Sequence, residues 1–368
     1  MGSQFDHIPE DGHLYVRPTL FSPLKENSPH CRSLAGGPMG FSAVELIFRE
    51  KGQPLVSMIV GMEEIERAST ELPEGHSKAL EIWIDRLSAE RRNIPLKNNH
   101  PLSFEKPHIM GVINVTPDSF SDGGQFLDAE LAVAHGQRLL REGAQSVDIG
   151  GESTRPGAVE LPLADELARV LPVIEGLRDC GAPISIDSRK SRVMKAAADN
   201  GASIINDVSA LTFDPKSLDC VAGEGLPVIL MHALGDPSSM QIDPGYDHVL
   251  LDVFDFLMAR IEAAVAGGIS RNNIIIDPGI GFGKTLEHNL ILLRGISMLH
   301  GTGCPIMLGV SRKSFIGKIT GENNSHGRLP GSLAAVLTGL WQGVQLFRVH
   351  DVAETQQAID VFLNIVHP

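Results

Sequence analysis

The sequence predicts an α/β protein, a (β/α)8 TIM barrel that carries a small N-terminal α/β extension. From about residue 108 onward, eight short β-branched runs alternate with segments of helical periodicity. The runs are almost continuously apolar, as strands of a parallel sheet covered on both faces are. Each also ends in a group that can hydrogen-bond or carry charge: Asn114, Asp148, Asp187, Asn206, His232, Asp277, Ser311, and Arg348 with His350. A barrel gathers all such ends on one face, whereas an open doubly wound sheet, the alternative architecture, gathers only those beside its switch point.

The extension comes first and lacks this rhythm. "LYVRPTLF", "FSAVELIF" and "PLVSMIVG" read as strands, and 77–93 reads as a helix with Leu80, Trp83, Ile84 and Leu87 on one face. A linker rich in Pro, Asn and Lys, "IPLKNNHPLSFEKP", follows, so the chain divides into an extension over 1–105 and a barrel over 106–368. The barrel strands are "HIMGVIN", "SVDIGG", "PISIDS", "SIINDV", "PVILMH", "NIIIDPG", "PIMLGVS" and "VQLFRVHD". Helices are expected over 128–143, 163–181, 191–201, 214–225, 246–268, 287–303, 331–343 and 353–366, several closing on glycine as C-caps do.

A formal net charge of −14 disfavours a general nucleic-acid binder, so any phosphate site must be local. The 4 cysteines are scattered without a CxxC, which points away from disulfides and structural metal and toward the cytoplasm. No run approaches the roughly 18 apolar residues of a membrane span. "GIGFGKT" lacks the glycine spacing of a phosphate loop, because position 278 is Pro. His232 in "LMH" reads as a hydrogen-bonding strand-end residue.

Two connections are long. "MGVINVTPDSFSDGG" leaves about a dozen polar residues between a strand and its helix, and "GGESTRPGAVELPL" follows the next strand, where roughly 2–6 residues are usual. Both fall on the face where the strand ends meet, the place for loops that close over a ligand.

"NVTPDSFSDGG", "DIGGESTRPGA", "IDS", "IIND", "LMH", "DPGIGFGK", "GVSRKSFIG" and "RVHDV", in that order over 106–368, resemble bacterial dihydropteroate synthase, a pterin-binding enzyme family. The resemblance implies condensation of 6-hydroxymethyl-7,8-dihydropterin diphosphate with p-aminobenzoate, by departure of diphosphate and attack of the amine on a pterin cation. A pterin presents a flat edge of donors and acceptors, which buried carboxylates and amides can read. Asp187, Asn206, Asp277 and Lys313 supply such groups, with Met231 and Phe282 against the ring. The resemblance assigns Asn114, Arg348 and His350 to the diphosphate, with Mg²⁺ on Asn114, and gives Asp118, Asp122 and Lys313 catalytic roles. Phe120, Thr154, Arg155, Pro156 and Ser314 would form the p-aminobenzoate pocket. It implies sulfonamide sensitivity and a homodimer built through the later helices. Two alternatives are a pterin-dependent methyltransferase, which needs no diphosphate site, and a binding relative without catalysis. The long extension departs from the family pattern.

Overall fold

The computed structural model describes residues 8, 12–24, 30–97, 101–115, 125–153, 158–235, 240 and 242–366. The extension opens with β1 (His13–Pro23), β2 (Arg32–Ser33), β3 (Met39–Arg49) and β4 (Val56–Gly61), followed by α1 (Ile65–Glu71) and α2 (Glu74–Ser88). These strands form an antiparallel sheet centred on β3. On α2 the residues His76, Leu80, Trp83 and Leu87 recur every three to four positions and are buried, which fixes the helix on the sheet. The elements not foreseen, β2 and α1, are too short to show a period.

The second part runs β5 (His108–Asn114), α3 (Gln125–Arg141), β6 (Ser146–Gly150), α4 (Leu163–Leu177), β7 (Ile184–Asp187), α5 (Ser191–Asn200), β8 (Ile204–Asp207) and α6 (Ser217–Glu224). It continues β9 (Val228–Met231), α7 (Val249–Ala266), β10 (Ile274–Asp277), α8 (Leu286–Arg294), β11 (Met307–Leu308), α9 (Ser314–Thr320), α10 (Leu329–Trp341), β12 (Leu346–Val349) and α11 (Val352–Val366). The eight strands are parallel in the order β10-β9-β8-β7-β6-β5-β12-β11, and a bridge between Ile276 and Ile306 joins the two ends into a barrel. All eight apolar runs are strands. The helix expected over 287–303 is α-helical only to Arg294; past Gly295 the chain tightens into a 3-10 helix over Ile296–Thr302. No helix among the described residues is long and apolar enough to cross a membrane.

The barrel interior is layered. At its lower end Met110, Ile204, Ile229, Ile275, Met307 and Leu346 form one apolar layer, and Ile94, Leu96 and Leu102 pack into it from below. A backbone bridge between Ile94 and Leu102 shapes this plug. Although they precede residue 105, these three side chains are barrel core by packing. The rest of the extension grips the barrel wall through Trp83, stacked on Phe254 of α7 at 4.8 Å. Arg49 pairs with Asp252 at 2.6 Å, and Arg91 donates to the His300 carbonyl at 2.9 Å.

Candidate functional site

Strand register assembles the upper layer. Asn114 pairs with Gly150, Gly150 with Asp187, and Asp187 with Asn206, so one row crosses four neighbouring strands. Asp148 lies two residues below Gly150 and therefore faces the same side. A cavity at this end is lined by Asp187, Asn206, Met231, Asp277, Phe282, Lys313, Arg348 and His350, among others. The pocket thus brings together every pterin residue expected from the sequence, with two of the three expected diphosphate residues. Asn114 ends β5 half-buried in the same row, and Ser314 is exposed in the first turn of α9.

Arg348 crosses the barrel rather than facing solvent. Its Nε donates to Asp148 Oδ2 at 2.6 Å and its Nη2 to Asp187 Oδ2 at 3.0 Å. Asn206 Nδ2 donates to the same Asp148 oxygen at 3.0 Å. The other oxygens, Asp148 Oδ1, Asp187 Oδ1 and Asn206 Oδ1, are buried and have no hydrogen-bond partner among the described residues. An unmet buried acceptor costs about 1–3 kcal/mol, so three together describe a surface complementary to a ligand rich in N–H donors. Asp148 is the residue that the motif-based assignment left out. Its place at a strand end and its parity with Arg348 were the available signals.

Burial holds the Asp187 carboxyl up to about 7; Arg348 opposes this, while Asp148 and Glu166 add to it. Burial also raises Asp277, against the Gly279 amide and Lys313. In the unfolded chain an aspartate titrates near about 3.9. The folded form therefore keeps the Asp187 proton between about pH 4 and 7. Stability from the protonated form is complete below that window and is lost as pH rises through about 7. Asp187→Asn should accordingly flatten the fall in thermal midpoint between pH 5 and 8 in ligand-free protein; parallel slopes for the two proteins would refute this.

Lys313 is aimed by strain next to it. Arg312 adopts φ +59°, a left-handed conformation costly outside glycine, and is held there by Asp351 at 3.0 Å and by its N–H on Ser332 Oγ at 2.9 Å. The Lys313 ammonium then sits 4.1 Å from the Phe282 ring centroid. His350 Nδ1 lies 3.0 Å from Ser311 Oγ, and burial together with Arg348 lowers its pKa to about 3. It enters the site as a neutral hydrogen-bonding ring.

Asp118, Phe120, Asp122, Thr154, Arg155 and Pro156 lie outside the described residues. Beneath the second long loop is a buried network that the sequence reading missed. Glu152 accepts from Arg189 and from the Leu161 amide, and Lys190 bridges Glu166 at 2.7 Å to the Leu161 carbonyl at 2.6 Å. Ser188, next to Asp187, donates to Glu166 at 2.6 Å. Lys190→Met would strand the fully buried Glu166 charge, so it should cost about 3–5 kcal/mol in urea unfolding; a loss below about 1 kcal/mol would contradict the network's role.

Fold and site together describe a parallel (β/α)8 barrel of the enzyme kind, with a polar cavity of unmet acceptors at the C-terminal ends of its strands. Residues 110–350 match the family described as pterin binding enzyme. A dihydropteroate synthase of Neisseria meningitidis serogroup B is 46% identical over 267 residues, 71% of this chain and 93% of the relative. The solved Xanthomonas albilineans dihydropteroate synthase with 4-aminobenzoic acid superposes with a TM-score of 0.71 at 46% identity, covering 75% of this chain and 99% of that one. Its complex with 7,8-dihydropteroate gives 0.69 at 43% identity, covering 75% and 100%. The chain belongs to the pterin-binding enzyme family, in its dihydropteroate synthase branch. The whole extension, residues 1–105, lies before the family match.

Proposed function

We propose that the chain condenses 6-hydroxymethyl-7,8-dihydropterin diphosphate with p-aminobenzoate, giving 7,8-dihydropteroate and diphosphate. The observation that carries this reading is the trio of unmet acceptors on Asp148, Asp187 and Asn206, beside Asp277 and Lys313. A reduced pterin offers ring and amino N–H groups to those oxygens and a carbonyl oxygen to the lysine. Phe282 and Met231 supply apolar contact for the ring. Arg348 keeps the two carboxylates fixed, so the donor edge is met by a preformed surface.

The side-chain carbon of the pterin exchanges its bond to the diphosphate oxygen for one to the amine nitrogen, and the amine gives up a proton. Asn114 and His350, at the rim near Arg348, fit the departing diphosphate, because phosphates commonly sit beyond strands 7 and 8 of such barrels. Mg²⁺ typically takes few protein oxygens and completes its shell with phosphate and water, so a single amide oxygen from Asn114 is an adequate donor set. No cluster of three or more His, Cys, Asp or Glu able to hold a metal occurs among the described residues. When bound, Mg²⁺ neutralises charge on the leaving group.

By family resemblance, Asp118, Phe120 and Asp122 close over the cation, while Thr154, Arg155, Pro156 and Ser314 receive p-aminobenzoate and its sulfonamide mimics. A homodimer through α10 and α11 is supported by exposed Trp341, Val361 and Ile365 on those helices. The test is release of diphosphate from the pterin substrate. It should require p-aminobenzoate and fall to background when EDTA removes Mg²⁺. Release without p-aminobenzoate, or none with both substrates present, would overturn the reading. A methyltransferase or a pure binding protein would give no release.

A further inference from the structure

We propose that Lys284 is a positioning residue for substrate, fastening through His232 the turn 277–283 that presents Asp277 and Phe282 to the pterin. This rests on the pterin reading of the pocket. Lys284 is 2% exposed, yet among the described residues no carboxylate lies within ion-pair distance of it. Its Nζ meets His232 Nδ1 at 2.9 Å, the Phe282 carbonyl at 2.9 Å and the His232 carbonyl at 3.4 Å. Three ammonium protons therefore meet three acceptors, two on one strand end and one on the turn.

The turn needs such a fastener because its backbone is unusual. Gly279, Gly281 and Gly283 all have positive φ, and a Cβ on Gly279 would lie 1.8 Å from the His232 carbonyl oxygen. The turn is thus pressed directly on the end of β9. His232 donates its amide to the Asp277 carbonyl at 3.0 Å, and its ring packs edge-on to Phe256 of α7 at 4.8 Å. Asn289 holds the Gly281 amide at 2.7 Å and Tyr246 holds the Gly283 carbonyl at 2.7 Å, both from outside the pocket. Lys284 ties the Phe282 carbonyl, while the Phe282 amide donates within the turn to the Gly279 carbonyl at 3.1 Å, and the Phe282 ring faces Lys313. Losing it leaves the Phe282 carbonyl and His232 Nδ1 buried without this donor, and the ring facing the pterin is freed to shift.

Charge agrees with the geometry. The groups facing Lys284 are His232, Asp277 and Lys313, with Tyr246 beside His232. Burial pulls Lys284 down to about 7, with Asp277 opposing and Lys313 adding; burial and Lys284 hold His232 at about 3. His232 is therefore the neutral acceptor, and the lysine is the donor.

The test compares wild type with Lys284→Met and Lys284→Gln by steady-state kinetics and by calorimetry with the pterin diphosphate. For Lys284→Met we expect KM and Kd for the pterin substrate to rise about tenfold, while KM for p-aminobenzoate stays within about twofold. Lys284→Gln, which can still donate to Phe282 or His232, should recover part of the pterin affinity. If Lys284→Met does not fold, the glutamine variant carries the same comparison. Unchanged pterin KM and Kd in the variants, or a fall in kcat alone with both KM values intact, would reduce Lys284 to a stability role and overturn the proposal. A wild type that binds no pterin would instead overturn the reading of the pocket, and this inference with it.

Discussion

Arg348→Met is expected to lower turnover by at least about 10³-fold and to destabilise the fold by about 3–5 kcal/mol. Both effects have one origin. Among the described residues Arg348 is the only cation within ion-pair distance of Asp148 and Asp187, at 2.6 and 3.0 Å. Asp148 is fully buried, and removing its partner leaves it beside a second carboxylate, Asp187, on the neighbouring strand. Without Arg348, which opposes the rise, the Asp187 carboxyl holds its proton more firmly, and a protonated acid no longer offers two acceptors to a ring N–H. Arg348→Lys should recover only part of the activity, since an ammonium cannot place two parallel donors on two carboxylates. Single-turnover rates and urea unfolding of the three proteins check this. A methionine variant with near-normal kcat would remove Arg348 from the centre of the site.

The second large effect concerns the extension. A chain beginning at residue 105 should give insoluble protein or a non-cooperative melt, because Ile94, Leu96 and Leu102 would no longer plug the barrel floor. Burying one such side chain contributes about 1.5–3 kcal/mol, and whole domains are stable by only about 5–15 kcal/mol. The cut would also remove Trp83 from Phe254 and Arg91 from His300. A chain beginning at residue 93 keeps the plug and should melt cooperatively at a lower temperature. Circular dichroism melts of the two truncations decide the matter; cooperative, full-length-like melting of the shorter chain would contradict the shared core.

Strands and cavity-lining residues were legible because one periodicity served both. A parallel barrel strand is apolar until its last residues, so the first polar side chain marks the pocket, and Asp187, Asn206 and Asp277 were found that way. The pairing of those groups was not legible. That Arg348 reaches Asp148 and Asp187, while Asp351 is taken by Arg312, depends on barrel closure over 200 residues of sequence separation in the case of Asp148. Lys284 stands in the sequence only as the end of "DPGIGFGK" and inside a failed phosphate loop, and nothing local says that it turns inward to His232. The plug was hidden for a similar reason: "IPLKNNHPLSFEKP" has linker composition, and its apolar residues meet a partner only once the barrel floor exists.

The central claim is that the unmet acceptors of the barrel mouth are a pterin surface. Calorimetric titration of wild type and Asn206→Leu with the dihydropterin diphosphate tests it most directly. We predict saturable binding at one site per chain in wild type and at least about tenfold weaker binding in the variant, the cost of one lost acceptor. Equal affinity in the two proteins, or no saturable binding in wild type, would contradict it.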